Sequence, residues 1–183
     1  MIEIRPLSYL SEQDYLRLVS GFTSLMRYAV QKTESLEQTT FTLELQTLEQ
    51  PYHKHWEMIP AELECYNNYL SGGFSSGAYK DAYLVAIAVA EPRWWNKTLW
   101  VWEFHVEEGW RGQGIGQQLM QTLAEQARAA GLRALVCETQ STNVPAIQFY
   151  RKAGFEIEGI DLSYYTNHDA LDGEVAIFMK LKL

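Results

Sequence analysis

The segment Val106-Glu107-Glu108-Gly109-Trp110-Arg111-Gly112-Gln113-Gly114-Ile115-Gly116 carries four glycines within eight residues. Glycine loses more backbone freedom on folding than any other residue, so such a run points to a backbone that must turn tightly or lie open to a ligand. A glycine loop that opens a helix presents unpaired N–H groups and the positive end of the helix dipole, an arrangement suited to phosphate oxygens. Two nucleotide motifs are excluded by the residues present. A Walker A loop needs lysine directly after its last glycine; Gly109 and Gly114 have the spacing, but Ile115 follows. The dinucleotide fingerprint needs a third glycine where this chain has Gln117, counting from Gly112, or Leu119, counting from Gly114. Two readings remain: an Arg-x-x-Gly-x-Gly cradle for phosphate over Arg111-Gly112-Gln113-Gly114-Ile115-Gly116, and a plain glycine-rich turn.

Two carboxylates accompany the loop. Glu103 interrupts an apolar segment three residues before Val106 and shares strand parity with His105. Glu138 stands at the end of the next apolar segment. Either could attract an ammonium group and take its proton, directly or through water. The alternative for each is a satisfied or edge-exposed carboxylate.

These groups must be positioned by regular elements. Residues 2–8 read as a strand. Ser11 is placed to cap a helix over residues 12–29, with Leu16, Val19, Phe22, Leu25 and Met26 at helical spacing. Residues 41–45 alternate as a strand or extended segment, and residues 60–70 read as a helix with Pro60 in its first turn. Two strong strands follow, over 82–90 and 98–106. Beyond the loop, Ile115, Leu119, Leu123 and Ala127 recur every four residues, which predicts an amphipathic helix ended by Gly131. Strand 132–139, helix 144–153 ended by Gly154, and strands 155–162 and 174–181 complete an α/β order, expected as one domain over residues 1–183.

The strand–loop–helix context of Arg111 to Gly116 resembles the pyrophosphate loop of acetyl-CoA-dependent N-acetyltransferases. Downstream, Asn143, Ala146, Tyr150 and Gly154-Phe155 resemble the second signature of the same superfamily, the GNAT N-acetyltransferases. The resemblance covers about residues 83–183. A narrower similarity, to the streptothricin acetyltransferases, rests on three stretches: Glu138-Thr139-Gln140; Asp161-Leu162-Ser163-Tyr164-Tyr165 through Val175-Ala176-Ile177-Phe178; and Phe41-Thr42-Leu43 with Glu49-Gln50-Pro51-Tyr52-His53-Lys54. Residues 56–82 depart from that pattern.

The resemblance implies a GNAT acyl-CoA N-acyltransferase fold, a mixed twisted central sheet with helices on both faces. It implies acetyl-CoA as cosubstrate, with no metal, and a primary amine of a small cationic acceptor, streptothricin foremost. The other acceptors it leaves open are a polyamine, an aminoglycoside-like compound and a protein amine; outside catalysis, it leaves an acyl-CoA sensor. Phe104, His105 and Val106 would bind the acetyl and pantetheine arm. Arg111, Gly112, Gln113, Gly114, Ile115 and Gly116 would wrap the pyrophosphate. Asn143 and Ala146 would border the cofactor, Tyr150 would protonate the departing thiolate, and Glu103, with Glu138 as second choice, would take the amine proton. A backbone N–H near Val106, where the strand splays from its neighbour, would polarise the acetyl carbonyl. Arg151 and Lys152 are either contacts to the cofactor's outer phosphate or a solvated basic pair.

Composition agrees with this class. The 183 residues carry a net charge of −8, which disfavours nucleic-acid and anionic-membrane surfaces and permits a cationic substrate. The apolar run 84–90 is too short to span a bilayer. The N-terminal segment alternates rather than showing a signal peptide's basic and apolar regions, and Cys65 and Cys137 form no disulfide framework; both point to a cytoplasmic setting. Cys137, inside an apolar run, reads as a buried structural thiol. His53-Lys54-His55-Trp56-Glu57 alternates ligand types but lacks a further cluster, so an exposed loop is preferred to a metal site. The aromatics Tyr52, Trp56, Tyr66, Tyr69, Trp94, Trp95, Trp100 and Trp102 either line a cationic pocket, pack on an open sheet face or meet a homodimer partner.

Overall fold

The apolar run that begins at Leu84 becomes β5 (Tyr83–Arg93), a strand with both faces covered over Leu84 to Ala90. The computed structural model describes residues 1–183. In chain order the other strands are β1 (Ile2–Pro6), β2 (Phe22–Glu34), β3 (Thr39–Lys54), β4 (Ser76–Lys80), β6 (Thr98–Val106), β7 (Ala134–Gln140), β8 (Glu156–Asp161) and β9 (Ala176–Lys182). The helices are α1 (Glu12–Leu18), α2 (Pro60–Leu70), α3 (Ile115–Ala129), α4 (Val144–Lys152) and the short α5 (Asp169–Asp172). Seven strands form a sheet in the order β1-β4-β5-β6-β7-β9-β8, and β2 and β3 pair separately. The sheet is mixed: β6 and β7 run parallel, while β4–β5, β5–β6 and β8–β9 are antiparallel. The expected α/β class and mixed central sheet are therefore present.

Clustering of contacts divides the chain into two compact units. The first holds residues 1–20, 56–137 and 181–183; the second holds residues 21–55 and 138–180.

In the first unit, alternation along β5 sends successive side chains to opposite faces. Ile87 and Val89 join Leu7, Leu10, Tyr15, Leu18 and Leu70 in one apolar cluster, which α1 and α2 cover. The small residues Ala86, Ala88 and Ala90, all fully buried, form the other face, where α3 packs over β4, β5 and β6. The α3 stripe of Ile115, Leu119, Leu123 and Ala127 is buried as its spacing predicts, and each Leu contributes roughly 2 kcal/mol by burial. Ala130 ends the helix and Gly131 follows at φ 72°. Cys137 is buried, as expected for a structural thiol.

In the second unit, β2 and β3 form a long antiparallel ribbon from Phe22–Lys54 to Glu34–Thr39, with a register shift between Ser24 and Met26. Its Tyr28 N–H donates to the Ser141 carbonyl, and the Ser141 N–H donates to the Val175 carbonyl, both at 2.8 Å. β8 and β9 pair antiparallel, from Glu156–Lys180 to Asp161–Ala176.

The expected helix over 12–29 is corrected. Ser11 does cap α1, its Oγ accepting from the Asp14 N–H, but the helix stops at Leu18. At Gly21 the chain takes φ 109°, and a Cβ there would lie 1.9 Å from the Lys54 carbonyl oxygen. From Phe22 the aromatic and β-branched residues Phe22, Thr23, Tyr28, Val30 and Thr33 extend as β2. The helical spacing of apolar residues was coincidental: Leu25 is 63% exposed, whereas Ser24 is 3% exposed, its hydroxyl donating to the Met26 carbonyl. His53 and Lys54 lie at the end of β3 rather than in a loop, with His53 Nδ1 2.9 Å from Thr23 Oγ1. β4 was missed, because Ser76-Gly77-Ala78 lacks side chains that could show a period.

Gly21→Ala is expected to cost roughly 3 kcal/mol or more through combined backbone strain and overlap with the Lys54 carbonyl. Thermal unfolding should show a midpoint lower by about 5–10 °C. An unchanged midpoint would mean that the turn at Gly21 is not required.

Candidate active site

β6 presents the site in the first unit. Its antiparallel ladder with β5 continues to the Ala86–Val106 pair, but a register shift between Val89 and Ala90 sets Trp102 as an extra residue. Its parallel ladder with β7 runs only from Thr98–Ala134 to Val101–Cys137. Trp102 to Val106 therefore keep partners on the β5 side after the β7 side has ended, which is the splay expected near Val106.

The loop follows at once. The Glu107 N–H donates to the Val85 carbonyl at 2.9 Å, a 3-10 turn covers Glu108–Trp110, and Arg111 folds back so that its Nε donates to the Val106 carbonyl at 2.9 Å. Gly112 and Gly114 sit at φ 75° and 80°, in the left-handed region that glycine enters without strain. Gly114 is the N-cap of α3, with no side-chain cap and no acidic residue in the first turn. The first N–H groups of α3 thus face outward uncapped, with the positive dipole end behind them. Arg111, Gly112, Gln113 and Gly114 are exposed, and Gln113 Nε2 donates to the Gly109 carbonyl at 3.2 Å. Ile115 is buried, so only its backbone can serve a ligand.

Glu103 and His105 meet directly on β6: Glu103 Oε2 lies 2.6 Å from His105 Nε2, and the two side chains are 15% and 13% exposed. Two residues that the sequence did not single out as catalytic stand over them. The Tyr66 hydroxyl, from α2, faces Glu103, and the Tyr66 ring stacks on Tyr15 of α1 at 6.2 Å. Burial first, and then the Glu103 charge, push both phenols well above the usual tyrosine range. Trp56 meets the His105 ring edge-on at 5.7 Å. Further along, Trp102 stacks on Tyr69 and donates from Nε1 to Glu91, and the Arg93 guanidinium lies 4.0 Å over Trp100 and 5.5 Å over Trp102. Those two rings already hold a cation of the protein's own. Trp94 and Trp95 are exposed.

The remaining expected residues lie in the second unit. Asn143 is the N-cap of α4: its Oδ1 accepts from the Ala146 N–H at 3.3 Å, which leaves its Nδ2 for another acceptor. Tyr150 is buried against Phe149 and Phe155. The Arg151 guanidinium lies 5.6 Å from the Tyr28 ring centre. Glu138 is engaged by the Tyr165 hydroxyl, which burial and then the Glu138 charge keep far from ionisation. Glu174, unread in the sequence, gathers the Tyr52 hydroxyl, Thr142 Oγ1 and, at 2.7 Å, Lys54 Nζ. Burial, then the hydrogen bond to Glu174, raise Tyr52 to about 12. No group of three or more His, Cys, Asp or Glu side chains is placed to hold a metal, and no helix is long and apolar enough to cross a membrane.

Comparison with known proteins places this geometry. The model of the acetyltransferase (GNAT) family matches residues 26–155. The chain is 37% identical, over 101 residues, to a streptothricin acetyltransferase of Streptomyces lavendulae, spanning 55% of this chain and 53% of that protein. The chain thus spans about half the length of this curated relative. Among solved structures, a nourseothricin acetyltransferase superposes with a TM-score of 0.73 at 28% identity, over 99% of this chain and 98% of that one. A Bacillus anthracis structure in complex with acetyl coenzyme A superposes with a TM-score of 0.76 at 22% identity, over 100% and 98%, and supports the same fold.

The open cap at Gly114 generates a prediction. Gly114→Ala forces a side chain into the left-handed region at about 1–2 kcal/mol. Inorganic pyrophosphate, titrated calorimetrically, should bind the variant about fivefold to tenfold more weakly. Equal affinity would show that the loop is not an anion cradle.

Proposed function

The chain belongs to the acetyltransferase (GNAT) family, and from that premise we propose that it transfers the acetyl group of acetyl-CoA to a primary amine of a small cationic acceptor. The observation that carries the reading is the sequence of features along one stretch of chain. A splayed strand end at Val106 leads directly into a loop of left-handed glycines and an uncapped helix N-terminus. The residues present suit the cosubstrate: Gly112 has open space around the Cβ position, and no first-turn carboxylate repels phosphate.

In this reading the N–H groups at the start of α3 and the Arg111–Gly116 loop hold the pyrophosphate. The strand edge from Phe104 to Val106 pairs with the pantetheine arm, and a Val106 backbone N–H polarises the thioester carbonyl. Asn143, with Oδ1 committed to its helix cap, offers Nδ2, and Ala146 lies in the first turn of that helix. The acceptor arrives as an ammonium ion, since an alkyl amine titrates near 10.4, so it must lose a proton before attack. Glu103 belongs to the group that receives this proton, and Glu138 serves as an acidic contact. Tyr150 then supplies the proton for the departing thiolate. A net charge of −8 and the likeness to the streptothricin enzyme of Streptomyces lavendulae support the β-lysyl amine of streptothricin as acceptor.

Thiol release from acetyl-CoA, followed across streptothricin, polyamines, aminoglycosides and lysine peptides, tests the reading. Turnover is expected with streptothricin above the other amines. Binding of acetyl-CoA without turnover of any amine would overturn catalysis in favour of an acyl-CoA sensor. Tyr150→Phe is expected to lower kcat by about 100-fold while leaving acetyl-CoA affinity unchanged. An unaltered kcat would remove Tyr150 from the mechanism.

A further inference from the structure

Read from the sequence, Glu103 is the proton acceptor. In the fold its carboxylate is already occupied: His105 Nε2 sits on Oε2 at 2.6 Å, and the Tyr66 hydroxyl faces the same group. The imidazole is in the opposite condition. Its Nε2 is committed to Glu103, and Trp56 meets the ring edge-on at 5.7 Å. With Nε2–H donating to the carboxylate, the tautomer assigned by this network leaves a lone pair on Nδ1.

We propose, resting on the acetyltransferase reading, that His105 Nδ1 takes the proton of the acceptor ammonium, and that Glu103 is a positioning residue that fixes the tautomer and stabilises the imidazolium. The surroundings suit such a pair. Tyr15 from α1 and Tyr66 from α2 face it, with Glu62 of α2 next in range of both phenols. On β5, Ile87 stands opposite His105 and Val89 opposite Glu103. Burial keeps the two phenols protonated, so neither Tyr15 nor Tyr66 is the proton acceptor.

The step balances without an oxidant or reductant. One N–H bond of the ammonium breaks and an Nδ1–H bond forms on His105. The freed amine attacks the thioester carbonyl carbon, the new N–C bond forms and the C–S bond breaks. Sulfur takes up the second nitrogen proton of the adduct by way of a general acid, and His105 returns its proton to solvent. The products are the amide, the free thiol and one proton.

The experiment compares pH–rate profiles of wild type, His105→Gln and Glu103→Gln with acetyl-CoA and an accepted amine, together with an NMR titration of the His105 imidazole in the resting protein. His105→Gln should lose the acid limb of kcat/KM and about 100-fold in rate. Glu103→Gln should retain the limb but move it to lower pH. The carboxylate favours the imidazolium, so its removal lets the ring lose its proton at lower pH. The reverse pattern, with the limb erased in Glu103→Gln and kept in His105→Gln, would overturn the proposal and return the role to the carboxylate. The NMR midpoint of His105 should fall by the same amount in Glu103→Gln; an unmoved midpoint also overturns it. Because that titration needs no turnover, a protein that acetylates no amine is told apart from one whose pair is uncoupled. Should Glu103→Gln fail to fold, Glu103→Asp, which keeps the charge but draws it back from the ring, should lower the midpoint by a smaller step. No step at all would count against the pair.

Discussion

Strand β6 keeps its hydrogen bonds to β5 up to Val106 but follows β7 only to Val101. That asymmetry is the constraint on which the site depends. Backbone N–H and C=O groups are obligatory hydrogen-bonding groups, and a strand that ends one ladder early exposes a row of them. One of these groups, the Val106 carbonyl, is taken by Arg111 Nε, which also pins the start of the loop to the end of the strand. The extra residue at Trp102 strengthens the local twist and turns the strand away from a flat continuation. The edge left over is a template for an extended, amide-bearing ligand, and its position is set by the backbone ladder to β5.

The loop after Val106 gives up stability for shape. Two glycines at positive φ and an uncapped helix leave donors without partners. An N-cap side chain would satisfy one donor and recover about 1 kcal/mol, yet it would also fill the space that an anion needs. The cost is borne by α3, whose buried stripe of Ile115, Leu119, Leu123 and Ala127 anchors the helix regardless of how its first turn is capped. The open end and the amphipathic body are thus two halves of one arrangement: deep packing along the helix permits an unsatisfied terminus.

The loop, β6 and α3 were legible because each is a local pattern of glycines, alternation or a four-residue repeat. The break at Gly21 was not, since its cause is a close approach to the Lys54 carbonyl, 33 positions away in sequence, and helical spacing of apolar residues continued by chance into β2. Parity alone placed Glu103 beside His105. It gave no sign that Tyr66, on a separate helix, would face the same carboxylate, nor that Tyr52, Lys54 and Thr142 would converge on Glu174. Residues that act through long-range contacts carry no short-range signature. The aromatic surplus shows the same limit: composition counted the rings, but only packing reveals that Arg93 covers Trp100 and Trp102.

That difference bears on how an acidic protein would receive a cation. Net charge raises the local concentration of a positive acceptor over the whole surface without selecting a place for it. Selection requires an acid that is neither fully hydrated nor already neutralised by a protein cation. Glu174 holds Lys54, and Glu107 holds Arg17, so both enter the folded state with their charge countered. Glu103 meets no lysine or arginine: its neighbours are the His105 imidazole and the Tyr66 phenol, in a half-buried setting. A carboxylate held this way attracts an ammonium without itself having to accept the proton. That separation of attraction from proton transfer is what a histidine placed beside it makes physically available.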